Sequence, residues 1–190
     1  MSLIKRLLQD HIEERMFKGK AIILIGARQV GKSTLCQQIL DSSNLPVGKD
    51  QILSLYCDDA YARELLEHAD NLNDMRQLVA NNKLIYVDEA QRIQGIGIRL
   101  KLITDHFKDV QLLVTGSSSF MLQGKLNEPL TGRKFEYQLF PISMQEILND
   151  GGILRAKQTF ESMLIYGSYP DVITGEQNPR EILQNLSGSY

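Results

Sequence analysis

The chain has 190 residues, with 21 Lys and Arg against 23 Asp and Glu, and 43% of it is hydrophobic. That is the length of one domain, and a chain of this size buries about 70% of the surface its unfolded form exposes, so it needs no disulfide or metal staple. The ordinary composition excludes a disordered or fibrous chain, and a pI near 5.9 argues against a strongly basic nucleic-acid binder.

Two cysteines, Cys36 and Cys57, make no disulfide framework and fit a reducing compartment. The N-terminal segment carries Asp10, Glu13 and Glu14, unlike a signal peptide. The longest clean apolar stretch, Ala21 to Ile25, is far too short to span a membrane. These features predict a soluble cytoplasmic protein. His11, His68 and His106 are scattered without metal-ligand spacing.

In chain order, Leu3, Ile4, Leu7, Leu8 and Ile12 recur at helical spacing and predict an amphipathic helix over 3–17, with Gly19 as its stop. Ala21 to Ile25 is a continuous apolar run, the mark of a strand buried on both faces. Runs of the same kind recur at 52–56, 84–87 and 112–114. Helical patterns separate them: Leu35, Ile39 and Leu40; Tyr61, Leu65 and Leu66; Leu72, Met75 and Val79; and the stripe Ile93, Ile96, Leu100, Ile103 and Phe107. Buried strands alternating with helices predict a parallel sheet covered on both sides. Phe135, Tyr137 and Leu139 alternate with polar residues, as in an edge strand. Ser143 and Glu146 form a capping-box pattern that opens a helix, Gly151 and Gly152 end it, and residues 158–166 predict another. From 171 onward the chain is polar and poorly patterned.

Residues 26–33 read Gly26-Ala27-Arg28-Gln29-Val30-Gly31-Lys32-Ser33, which fits G-x-x-x-x-G-K-[ST] between a buried strand and a helix. Gly26 and Gly31 free the backbone to wrap a phosphate, with loop N–H groups pointing inward as an anion nest. The following helix adds about half a positive charge at its N-terminus. Lys32 brings a full charge to the terminal phosphates and Ser33 a hydroxyl to Mg²⁺; Thr34 sits near the inner phosphate or caps the turn. Arg28 occupies a free position of the loop and faces solvent or a partner.

Asp88 and Glu89 follow the third predicted strand directly. Ligands of open parallel sheets bind at the carboxyl ends of strands, so this pair faces the same crevice as the loop. Asp88 is placed to hold Mg²⁺, and Glu89 to polarise the attacking water as general base; the structural alternative is a helix N-cap. A water-activating Glu suits hydrolysis. Guanine recognition needs an Asn/Thr-Lys-x-Asp segment, and Asn82-Lys83 runs into Leu84-Ile85 instead, so ATP is the expected nucleotide.

The ordered set of Gly26 to Leu35, Asp88-Glu89-Ala90-Gln91-Arg92, Thr115-Gly116-Ser117-Ser118-Ser119, Leu130-Thr131-Gly132-Arg133 and Gly167-Ser168-Tyr169-Pro170 resembles the AAA-type P-loop ATPases of bacteria and archaea, over about residues 1–170. Ser168 stands where a second Gly is more usual. The resemblance implies an α/β three-layer P-loop NTPase domain with a parallel sheet of about five strands in the order 5-1-4-3-2 and a small C-terminal helical appendage. The expected organisation is an ATPase core over 1–141, the appendage over 142–170, and a linker or the start of a truncated C-terminal domain over 171–190. The resemblance also gives Thr115 or Ser117 a sensor role toward the γ-phosphate or the water, against a Ser-rich turn that satisfies its own backbone. It implies that Arg133 faces a nucleotide, its own or a neighbour's, against a plain surface arginine. Asp58 and Asp59 end the second strand, where one of them caps the next helix or assists near the γ-phosphate. Cys36 reads as a small core residue.

The function expected is Mg²⁺-dependent ATP binding and hydrolysis, driving a conformational change passed to a protein partner or to the C-terminal domain. The competing readings are a small-molecule kinase and a nucleotide-switched binding module without turnover. DNA as a target has no support from charge, and homo-oligomerisation is left open.

Overall fold

A computed structural model describes residues 3–117, 129–175 and 178–187 of the chain. Leu7–Arg15 forms α1 and Ala21–Gly26 forms β1. They are followed by α2 (Lys32–Leu40), β2 (Ile52–Tyr56), α3 (Ala60–His68), α4 (Leu72–Val79) and β3 (Leu84–Asp88). Then come α5 (Ile96–His106), β4 (Gln111–Ser117), β5 (Lys134–Leu139), α6 (Met144–Tyr166), α7 (Pro170–Thr174) and α8 (Pro179–Ser187). The five strands form one sheet in the order β2-β3-β4-β1-β5, with every pairing parallel. This is the expected order read from its other edge.

The pleat sends alternate residues of each strand to opposite layers. Ile23, Ile25, Ile85, Val87, Leu112 and Val114 pack toward α3, α4 and α5. Ile22, Leu24, Leu84, Tyr86 and Leu113 pack toward α1 and α2. All of β1 and β3 and nearly all of β4 is buried, which explains their unbroken apolar runs. β2 is a correction: its run predicts burial on both faces, yet only Leu55 is buried because the strand lies on a sheet edge. β5 is the other edge, half-exposed as its alternation predicts.

The ends of the helices differ from the sequence reading in ways that bear on the site. The helix expected over 3–17 spans only Leu7–Arg15, because Arg6 is extended (φ -84°, ψ 136°) and its side chain is drawn inward. Ser143 and Glu146 do form the capping box of α6, and Gly152, at φ 67°, interrupts that helix. Helical structure resumes directly, earlier than residue 158. Where a polar tail was expected from 171, Val172 and Ile173 of α7 and Ile182 of α8 are buried, and Val172 and Ile182 pack with Tyr166 and Tyr169. Ile4, Ile142, Ile147, Ala156 and Ile173 form a separate small core, so the N-terminal segment and the last helices pack together beside the sheet.

Candidate functional site

The loop between β1 and α2 sits at the carboxyl end of β1, an interior strand between β4 and the β5 edge. Its two glycines are needed for different reasons. Gly31 adopts φ 95°, a left-handed conformation closed to most residues, and starts α2. Gly26 is not left-handed, contrary to the expectation of a special backbone angle there: a Cβ would lie 2.7 Å from the Leu139 carbonyl oxygen, so Gly is required by the close approach of β5. Val30 is wholly buried and anchors the loop in the core, whereas Arg28 and Gln29 are exposed. Lys32 is buried; its Nζ donates to the carbonyls of Ala27 at 2.9 Å and Gly26 at 3.2 Å, and stands 4.0 Å from Glu89 Oε1. Burial pushes the Lys32 ammonium below its ordinary pKa, and Glu89 and Asp88 oppose that shift.

Three segments far apart in sequence meet on one carboxylate. Ser33 Oγ donates to Asp88 Oδ2 at 2.9 Å, and the Thr115 hydroxyl donates to Asp88 Oδ1. The Glu89 N–H in turn donates to Thr115 Oγ1 at 3.0 Å. Glu89 itself is left-handed (φ 53°, ψ 44°), which turns the chain sharply after β3. The sequence reading left Thr115 and Ser117 as alternatives for one role. Here Thr115, fully buried, joins the Asp88 network, whereas Ser117 ends β4 and offers its backbone N–H to Gln91 Oε1 at 3.2 Å.

Arg133 is not brought to this place. Parallel pairing of Ala21 with Lys134 and Gly26 with Leu139 sets Arg133 just before the amino end of β5, about 20 Å of strand away from the loop. There its Nε pairs with Asp105 at 2.6 Å, and the guanidinium holds the Asp105 carboxyl below its ordinary pKa. Asp59 caps α3 by accepting from the Tyr61 N–H at 3.2 Å, and Asp58 pairs with Arg92 at 2.6 Å. Cys36 is a buried core residue of α2. Burial pushes both thiols above their ordinary pKa, Cys57 to about 12, which disfavours the thiolate in each.

Next to Gly31 and Thr34 opens a cavity of about 240 Å³, walled by Ile4, Ile142 and Pro170. Arg6 also lines it. Buried, Arg6 pairs through Nε with Glu146 Oε1 at 2.9 Å, and donates to the carbonyls of Val30 at 3.1 Å and Phe140 at 2.5 Å.

A family model described as an AAA domain matches residues 18–148. The chain belongs to this AAA domain family. The domain is 24% identical over 177 residues to an uncharacterised protein of Haemophilus influenzae, a match that covers 88% of this chain and 43% of that protein. The chain thus spans less than half the length of that relative. Among solved structures it resembles DnaA from Aquifex aeolicus bound to AMPPCP, with a TM-score of 0.55 and 16% identity over 89% of this chain and 57% of that one. It also resembles a replication initiator DnaA bound to AMPPCP and single-stranded DNA, with a TM-score of 0.61 and 15% identity over 98% of this chain and 66% of that one. At such identities the likeness is one of fold alone. No helix among the described residues of the domain is long and apolar enough to cross a membrane.

Two residues of the AAA domain site escaped the sequence reading. Arg6 carries no local signal, since its partner Glu146 is 140 positions away. Gln91 lies inside a stretch that carries the resemblance, yet its partners are a neighbouring carboxylate and a backbone N–H of another strand, which no pattern marks.

Proposed function

We propose that this AAA domain binds ATP with Mg²⁺ and hydrolyses it, and that the energy released is used to move a partner or a further domain of the protein. The observation that carries the reading is the meeting of Ser33 and Thr115 on Asp88, beside the buried ammonium of Lys32. Lys32 leaves the Gly26 and Ala27 carbonyls for the terminal phosphates, while the loop N–H groups and the start of α2 hold the remaining negative charge. The hydroxyl of Ser33 and the carboxylate of Asp88 are hard oxygen donors of the kind Mg²⁺ takes, so these two would hold the ion, which supplies charge neutralisation at the phosphate oxygens. The base and ribose fill the cavity beside Gly31 and Thr34. Glu89 accepts the proton of the attacking water.

Phosphate release from Mg-ATP with no added acceptor tests the proposal. Release only with an acceptor would mark a kinase, and tight binding without release a switch. Lys32→Ala is expected to weaken ATP binding about 10- to 100-fold, since one charge-assisted contact is worth about 1.5–3 kcal/mol. Calorimetry reads this directly, and wild-type affinity in the variant would detach the loop from phosphate binding.

Arg133 acts on a nucleotide only across a contact with a second copy. Arg133→Ala is therefore expected to leave hydrolysis unchanged in dilute protein and to lower it where activity per chain rises with concentration. A loss of rate that is independent of concentration would contradict this.

A further inference from the structure

Gln91 belongs to the 3-10 turn Ala90–Arg92 that follows β3. Its amide makes two bonds of opposite polarity: Nε2 donates to Glu89 Oε2, and Oε1 accepts from the Ser117 N–H at 3.2 Å. A carboxamide offers a donor and an acceptor on one carbon. Asn would be one methylene shorter, Glu would bring a second negative charge to Glu89, and Lys would have nothing to accept with. The bond takes one oxygen of the Glu89 carboxylate and leaves the other, Oε1, facing Lys32 at 4.0 Å. On its far side Gln91 holds the last residue of β4, which pairs in register with Gly26, the first residue of the phosphate loop.

We infer that Gln91 is a positioning residue for hydrolysis: it fixes the orientation of the Glu89 carboxylate and makes it follow the tip of β4, beside the loop that grips the phosphates. The inference rests on the reading of Glu89 as the group that takes the proton of water. Side chains held on both sides by hydrogen bonds keep reacting groups in line, and small misplacements of such groups are costly in rate. A turn that was merely structural would need only its backbone bonds, such as Arg92 N–H to the Glu89 carbonyl at 3.0 Å.

Two variants separate the two bonds. Gln91→Met keeps the bulk and loses both. Gln91→Glu keeps an acceptor for Ser117 but repels Glu89. Amide hydrogen exchange at Ser117, referenced to Val114 on the same strand, is expected to quicken about 2- to 10-fold in Gln91→Met and to stay slow in Gln91→Glu. Both variants are expected to lower kcat for ATP about tenfold, with KM and ATP-analogue affinity unchanged in Gln91→Met, which adds no charge. Wild-type kcat in both variants, or unaltered Ser117 exchange in Gln91→Met, would overturn the inference while leaving Glu89 in place. Wild-type hydrolysis by Glu89→Gln would remove the reading of Glu89 itself, and the positioning role with it.

Discussion

Glu89→Gln is expected to leave ATP binding intact while lowering kcat about 10²- to 10⁴-fold, the usual worth of a positioned general base. The side chain is partly exposed, at 26%, and one of its oxygens lies 4.0 Å from Lys32 Nζ, so it borders the place where the phosphates are proposed to sit without being sealed off from water. An amide of the same size keeps the shape and the bond to the Gln91 side chain in altered form, but it cannot accept a proton. The groups proposed to grip the nucleotide, namely the loop amides, Lys32, Ser33 and Asp88, are untouched by the change. Removing a negative charge beside Lys32 leaves more of that ammonium's field for the phosphates, so affinity holds or rises slightly. Single-turnover phosphate release and analogue titration on the same preparation separate the two effects. Equal release rates in variant and wild type would take Glu89 out of the chemistry and leave its carboxylate as a structural partner of Gln91 alone.

How much of this was legible beforehand depends on the range of the interactions. The alternation of β1, β3 and β4 with helices shows in the sequence because a strand buried on two faces is built on an apolar run, here 21–25, 84–87 and 112–114, with the buried polar residues Asp88, Gln111 and Thr115 flanking those runs. The same rule misleads for β2, where Ile52 and Leu53 are only partly covered and Tyr56 is exposed. Apolar content marks a strand but not its place in the sheet, and the strand order came from family resemblance. The phosphate loop is legible because backbone chemistry restricts residue types at Gly31 and Lys32, where few substitutes exist. The motif marks Gly26 as necessary but not why, since its constraint comes from Leu139, a residue of another strand. Arg133 shows the same limit. Its neighbours in sequence carry the resemblance, but which end of the sheet it occupies follows from the register of β1 with β5. Arg6 and Gln91 were invisible because each acts through partners that sequence does not mark: backbone carbonyls, a backbone N–H, and a carboxylate far along the chain.

Arg6→Ala is expected to cost about 3–5 kcal/mol of stability, the usual penalty for removing one member of a buried ion pair. Arg6 and Glu146 are 6% and 4% exposed, so loss of the guanidinium leaves a buried carboxylate without its cation. Burial alone would push the Glu146 carboxyl up; amide donors from Ser143 and Leu7 together with Arg6 outweigh it and hold the carboxyl below its ordinary 4.5. A carboxyl so depressed contributes stability that is fully present above that ordinary value and is lost as pH falls through the folded one. Without Arg6 the depression weakens. The stability gap between wild type and Arg6→Ala is therefore widest near neutral pH and narrows as acid protonates Glu146. The double change Arg6→Met with Glu146→Gln removes both charges and is expected to cost less than the sum of the two single changes. Urea unfolding at several pH values measures all of this. Additive costs, or a gap that does not change with pH, would mean the pair is not the electrostatic unit described. Because Arg6 also holds the Val30 carbonyl, the same variant frees the phosphate loop from the N-terminal segment and from α6. Its ATP affinity should fall even at temperatures where the fold survives, which ties the small helical core to the nucleotide site through one side chain.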